Sequence, residues 1–344
     1  MSAVSSTIHL QRPLDGPALA ETLDGGQCFR WRAVGDSAWH GVSGPVAARL
    51  HARSPTEFDA TLYAGNESDL RTHLADDLDW HALADALPHR TDAHLATCLA
   101  AFPGLRILRQ PMGEALLCFL CSATKQIVQI KQMVALLAAR HGRILATPAA
   151  GGPRGAIDDR ATAGGPSAAR GTRHPIDDKI QAHDRPAAAG PSHPMDDMGR
   201  DAAGPEAIHA LPTWSELADV SEEALRACLL GFRARHVAGV ARFLAGRPGW
   251  LEETARLPYA EAKARLLELP GVGEKIADCV LLFGAGRLEA FPVDVWILRV
   301  MEERYGLRGW SPGQIAHFGR VHFGPLAGLA QQYLFAWERR NARV

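Results

Sequence analysis

At 344 residues, 47% of them apolar, the chain is long enough for two domains and carries enough apolar side chain for a sizeable core. A formal net charge of −1 excludes a polycation that binds anions along its whole length. Residues 225–344 nevertheless hold 17 Lys and Arg against 11 Asp and Glu, an excess that suits an anionic partner.

The opening "MSAVSSTIHLQRPLDG" lacks the basic region and long apolar stretch of a signal peptide. No apolar run reaches membrane length. Through residue 65, "QCFRW", "AWHGVSG", "VAARLHAR" and "FDATLYAG" cluster aromatic and β-branched residues between Gly, Asp and Ser, which predicts an antiparallel sheet. From about residue 68 the period lengthens. Leu116, Leu120, Ala123, Ile127, Ile130, Val134 and Leu137 recur at steps of three and four and predict one helix face, with polar "SATKQ" (122–126) as a junction. Six cysteines lie scattered, as in a reduced intracellular protein. Cys118 and Cys121 form a CxxC inside an apolar run with no second ligand pair at zinc spacing, so they read as core thiols and no metal or cofactor is expected.

Residues 146–206 contain no Phe, Trp or Tyr and repeat a degenerate unit, "RGAIDDR", "RHPIDDK", "SHPMDDM". Too little apolar surface is available there to offset the entropy of ordering, which predicts a disordered insertion. Helical patterning resumes at "LPTWSELADV", with Thr213 or Ser215 as a cap, and "SEEALRACLL" opens like a second helix. The fold class expected is α+β: an antiparallel sheet domain with flanking helices over 1–105, then an all-helical domain over 106–145 and 207–344.

The chemistry concentrates in "LPGVGEKIADC" (269–279) and "FPVDV" (291–295). Gly271-Val272-Gly273 before a helix start offers backbone amides and a helix dipole to a phosphate. Lys275 at that start shares a face with Cys279, four residues on. Desolvation and the positive helix end favour its neutral amine, a nucleophile toward carbonyl-like carbons. Asp294, placed to cap the next helix, presents a carboxylate to the same cleft.

"LPGVGEKIADC…FPVDV" resembles the helix-hairpin-helix Gly/Pro-Asp DNA glycosylases, and within them the eukaryotic-type 8-oxoguanine DNA glycosylase/AP lyases. "GGQCFRWR" (25–32), "GLRILRQPMGEALLCFLCSATKQI" (104–127), "LGFRARHV" (230–237) and "FGPLAGLAQQYLFAWE" (323–338) resemble further segments of that family in the same order. The resemblance covers about 8–144 and 207–340. It implies a TATA-binding-protein-like N-terminal sheet and a monomeric enzyme acting on double-stranded DNA containing oxidised guanine. The nucleophile would be Lys275, which forms an imine and then nicks the strand by β-elimination, with Asp294 supporting the cationic transition state. The flipped base would be read by the Gly26 carbonyl and Gln331 and sandwiched by Cys279 and Phe335. Formamidopyrimidines fall within the implied lesion range. The implied location is the cytoplasm or nucleoid of a bacterium, or a eukaryotic nucleus.

Departures concern the opposite strand. The family's asparagine run after its "CS" pair is Ala123-Thr124-Lys125-Gln126 here, and one cytosine-reading arginine aligns with Gln129. The second is retained as Arg233, and a phosphate-binding histidine is replaced by Trp296. These changes predict a weakened preference for cytosine opposite the lesion. Two rival readings are a non-catalytic helix-hairpin-helix DNA-binding protein, which needs neither Lys275 nor Asp294, and an inactive paralogue. The iron–sulfur branch carries four cysteines after the aspartate, which this chain lacks.

Overall fold

The computed structural model describes residues 3–35, 37–147 and 207–341. Strands β1 (Val4–His9), β2 (Trp31–Ala33), β3 (Ala38–Ser43), β4 (Val46–Ala52) and β5 (Glu57–Ala64) form an antiparallel sheet in the order β1-β5-β4-β3-β2. In β5, buried Phe58, Ala60 and Leu62 alternate with the less buried Asp59 and Thr61, the period-2 signature of a half-covered strand. Gly41, opposite Trp31 in the ladder, is required: an added Cβ would stand 2.0 Å from the indole.

Two features differ from the sequence expectation. A helix, α1 (Gly16–Asp24), separates β1 from β2, with Pro17 in its first turn and Ala18, Leu19 and Leu23 facing the core. The "QCFRW" segment becomes strand only at Trp31, because Gln27 is held as a buried loop residue.

Next come α2 (Glu67–His73), α3 (Trp80–Asp85) and α4 (Ala93–Ala101). The apolar face expected over 114–140 is two helices, α5 (Met112–Cys121) and α6 (Ile127–His141), broken at the polar 122–126 turn. Cys118 and Cys121 are buried on α5, and burial pushes the Cys121 thiol up to about 12. Strands β6 (Ile144–Ala146) and β7 (Ile208–His209) pair with each other, and Ile208 packs on Val42 and Ala47 of the large sheet. The insertion expected over 146–206 lies outside the described residues from 148 onward; Ala146 itself ends β6.

The chain continues with α7 (Trp214–Ala218) and α8 (Glu222–Leu225), capped by Thr213 and Ser221. It then forms α9 (Arg233–Ala245), α10 (Trp250–Arg256), α11 (Tyr259–Leu267), α12 (Glu274–Ala285), α13 (Val295–Arg304), α14 (Pro312–Phe323) and α15 (Ala327–Asn341). One core cluster runs from the sheet through these helices, so the sheet is a fixed platform for the helical part.

Candidate active site

The hairpin between α11 and α12 is built on Gly271, whose φ of +79° disfavours a side chain. His236 of α9 packs so closely there that an added Cβ would lie 2.5 Å from its Cγ. Buried Val272 anchors the turn, and its amide donates to the Leu269 carbonyl at 3.1 Å. The expected outward row of amides is therefore interrupted at Val272. Gly273 is exposed and has no side chain to cap α12, leaving the first-turn amides of Glu274 and Lys275 for an anion. Behind the hairpin, buried Asp278 accepts from Tyr259 Oη at 2.6 Å and Lys263 Nζ at 3.0 Å, tying α12 to α11.

Lys275 stands in the first turn of α12. Its Nζ donates to Ser122 Oγ at 3.1 Å and lies 5.1 Å from the centre of the Phe119 ring. Cys279, one turn on, is buried, and burial pushes its thiol up to about 12 against the opposing charge of Lys275. It is a neutral, polarisable wall.

Asp294 is the N-cap of α13. Its Oδ1 accepts from the amides of Trp296 at 3.1 Å and Ile297 at 2.9 Å. Burial holds this carboxyl above the usual aspartate range, although the Ile297 amide and the Lys275 charge pull it down. Lys275 and Asp294 thus both act on the Cys279 thiol, and the Lys275 charge acts on the Asp294 carboxyl.

The remaining candidates lie on α15 and in the loop after α1. Gln331 is buried and donates to the Pro292 carbonyl at 3.2 Å, beside the Asp294 cap. Phe335 follows one turn later and meets Gly26: a Cβ on Gly26 would lie 3.7 Å from the Phe335 ring and 3.0 Å from Ile127 Cδ1. With φ +104°, Gly26 tolerates no other residue easily. Its loop is pinned by Gln27, which donates to the Arg106 carbonyl at 2.9 Å and accepts from the Leu108 amide at 2.8 Å. Gln110 donates to the Gln27 carbonyl at 2.6 Å.

The opposite-strand candidates lie in the 122–126 turn and at the starts of α6 and α9. Thr124 is exposed with φ +54°, an unusual conformation for a β-branched residue. Arg233 is buried: its guanidinium donates to the Ala123 and Leu230 carbonyls and to Thr124 Oγ1, the last at 3.0 Å. Gln129 is exposed, but its Oε1 accepts from the Gln126 amide at 3.2 Å and closes the N-terminus of α6. Sequence reasoning missed Phe232, 49% exposed with its ring 4.3 Å from the Arg233 guanidinium, and Ser122 beside Lys275. An aromatic left in solvent beside an arginine was the signal for the first; the second is a tertiary contact with no local signal.

Residues 10–116 match the family model of the N-terminal domain of 8-oxoguanine DNA glycosylase. A probable N-glycosylase/DNA lyase of Methanothermobacter thermautotrophicus is 40% identical over 123 residues, which span 36% of this chain and 39% of that protein, well under two thirds of its length. The N-glycosylase/DNA lyase OGG1 of Arabidopsis thaliana is 28% identical over 335 residues, 92% of this chain and 76% of the plant protein. The fold is similar to that of Clostridium acetobutylicum 8-oxoguanine glycosylase/lyase, solved with double-stranded DNA carrying cytosine opposite 8-oxoguanine. The TM-score is 0.71 at 25% identity, covering 94% of this chain and 92% of that one.

Proposed function

Because the chain belongs to the 8-oxoguanine DNA glycosylase family of the helix-hairpin-helix Gly/Pro-Asp superfamily, we propose that it excises 8-oxoguanine from duplex DNA and nicks the resulting site. The observation that supports this reading is the placement of Lys275 and Cys279 one turn apart on α12 with the Lys275 charge felt at the Asp294 cap, of Gln331 bonded to the Pro292 carbonyl beside that cap, and of Phe335, one turn on, against Gly26.

The exposed amides at Gly273 and the start of α12 hold a phosphate, and the damaged nucleotide turns out of the stack toward the cleft. Phe232, exposed beside the opposite-strand edge, fills the space the base leaves. The purine slides between Cys279 and Phe335. Gln331 meets its Watson–Crick edge, and the Gly26 carbonyl accepts the N7–H that distinguishes 8-oxoguanine from guanine. The Lys275 amine attacks C1′ with its lone pair as the glycosidic bond breaks, and the base departs with the bonding electrons. Asp294, whose Oδ1 is fixed by two amides, stabilises the positive charge that develops on the sugar. The attached nitrogen gives one proton to the departing base anion, its lone pair then opens the sugar ring to an iminium as O4′ takes up a proton from solvent, and loss of a C2′ proton to solvent expels the 3′ phosphate.

The partner is double-stranded DNA containing oxidised guanine, and formamidopyrimidines with the same edges share the pocket. Among the described residues no helix is long and apolar enough to cross a membrane. The protein acts where its cell keeps DNA, the nucleoid or the nucleus.

The reading is tested by mass spectrometry of released bases. Incubation with an 8-oxoguanine duplex should release free 8-oxoguanine and no guanine. A protein that binds the duplex and releases neither is a clamp and not a glycosylase.

A further inference from the structure

Ser122 lies at the C-terminal end of α5, 153 residues from Lys275 in sequence, and takes no part in the chemistry described above. Its hydroxyl is in contact with the nucleophile, at 3.1 Å from Nζ. The hydroxyl proton is committed elsewhere: Ser122 Oγ donates to the Phe119 carbonyl at 2.7 Å. Toward Lys275 it is therefore an acceptor only. An amine that gives one N–H to a fixed acceptor has the direction of its lone pair restricted.

The acceptor is itself well fixed. The Ser122 amide donates to the same Phe119 carbonyl at 3.0 Å, and the Lys125 amide donates to the Ser122 carbonyl at 3.3 Å. The next two residues are gripped by buried Arg233, through the Ala123 carbonyl and Thr124 Oγ1. Phe119 lies beneath Lys275 Nζ and stacks on Phe283 of α12, so the helix that carries the acceptor and the helix that carries the nucleophile are packed together.

We propose that Ser122 is a positioning residue for Lys275: its hydroxyl, oriented by the Phe119 carbonyl, aims the amine at C1′. This rests on the glycosylase reading above and adds a residue to it. The device works by geometry. Its loss should slow bond cleavage without weakening DNA binding, because the Ser122 hydroxyl is engaged on both sides by the protein, with Lys275 and the Phe119 carbonyl.

The test uses the full chain and its Ser122→Ala and Ser122→Thr variants on an 8-oxoguanine duplex. Single-turnover cleavage rate and DNA dissociation constant are measured separately. The inference predicts that Ser122→Ala cleaves roughly tenfold more slowly, the value of one hydrogen bond, with affinity within about twofold of wild type. Ser122→Thr, which keeps the hydroxyl, should recover the rate to within about threefold. A Ser122→Ala rate equal to wild type overturns the inference. So does a rate loss matched by an equal affinity loss, or a threonine variant no better than alanine. Absence of cleavage by the wild-type chain would instead overturn the glycosylase reading.

Discussion

Glu21 and Arg339 are joined across 318 residues: the Arg339 Nη2 donates to both carboxylate oxygens of Glu21, at 2.8 and 2.6 Å. Arg340 Nε adds a third bond to the same carboxylate at 2.7 Å. Glu21 lies in the last turns of α1, just before Gly26, and Arg339 lies one turn beyond Phe335 on α15. The clamp therefore fixes the helix that leads to Gly26 against the helix that carries Phe335.

Replacing Glu21 by Ala leaves two arginines without their partner. Glu21 has a side-chain exposure of 3%, but Arg339 and Arg340 are 30% and 41% exposed and regain part of their hydration. The expected cost is about 2 kcal/mol, a Tm fall of roughly 5 °C for a protein of this size. Thermal denaturation measures it. Cleavage should slow more than DNA binding weakens, because Gly26 loses its register against Phe335.

Asp294→Asn separates stability from catalysis. Asparagine still caps α13, so the helix is retained. Cleavage should fall by roughly 100-fold or more, the scale of losing a group aimed at developing charge. The sign for stability follows from burial, which raises the Asp294 carboxyl above its ordinary 3.8. A carboxyl raised in the folded state contributes stability below 3.8 that is lost as pH climbs through the folded value. Asn should therefore raise Tm at neutral pH, and the gain should vanish on acidification. The acid limb of the wild-type rate should lie above pH 3.8. A neutral-pH Tm lower in the variant would contradict this.

The two hairpin glycines should behave differently. Gly271→Ala must adopt φ +79° and displace His236, costing about 1–2 kcal/mol from the backbone alone. Gly273 has φ −102° and open space around an added Cβ, so Gly273→Ala should fold as wild type. Its methyl would nevertheless crowd the first-turn amides of α12 that the proposed function assigns to a phosphate, and duplex affinity should fall by roughly tenfold, about one phosphate contact. Paired melting and binding curves for the two variants check both halves.

Opposite-base selectivity should be shallow. Gln129 spends its carbonyl on the Gln126 amide, and Arg233 is occupied by the 123–124 turn. Single-turnover rates with C, A, G or T opposite the lesion should lie within about tenfold, since a bidentate reader worth about 1–3 kcal/mol is missing. Gln129→Arg should restore a preference for cytosine. A strict cytosine requirement in the unaltered chain would contradict the assignment.

What the sequence disclosed and what it hid divide by range. The hairpin, Lys275 with Cys279, and the Asp294 cap depend on neighbours within a few residues, so turn chemistry and helical spacing expose them. The α1 helix leaves a weak signal because its apolar face, Ala18, Leu19 and Leu23, is short and lies between strand-like segments. Glu21 with Arg339, Gln27 with Leu108, and Ser122 with Lys275 are 318, 81 and 153 residues apart. Such pairs leave no periodic trace. The motif residues Gln27 and Gln110 bond each other behind Gly26, a physical reason for glutamines at those positions that spacing alone does not reveal.

The central claim is that the Lys275 amine becomes covalently joined to the sugar. Borohydride reduction during incubation with an 8-oxoguanine duplex tests it most directly. A protein–DNA adduct should form with the wild-type chain and be absent with Lys275→Gln, whose DNA binding persists. An adduct undiminished in Lys275→Gln, or none with an active wild-type enzyme, would contradict the account.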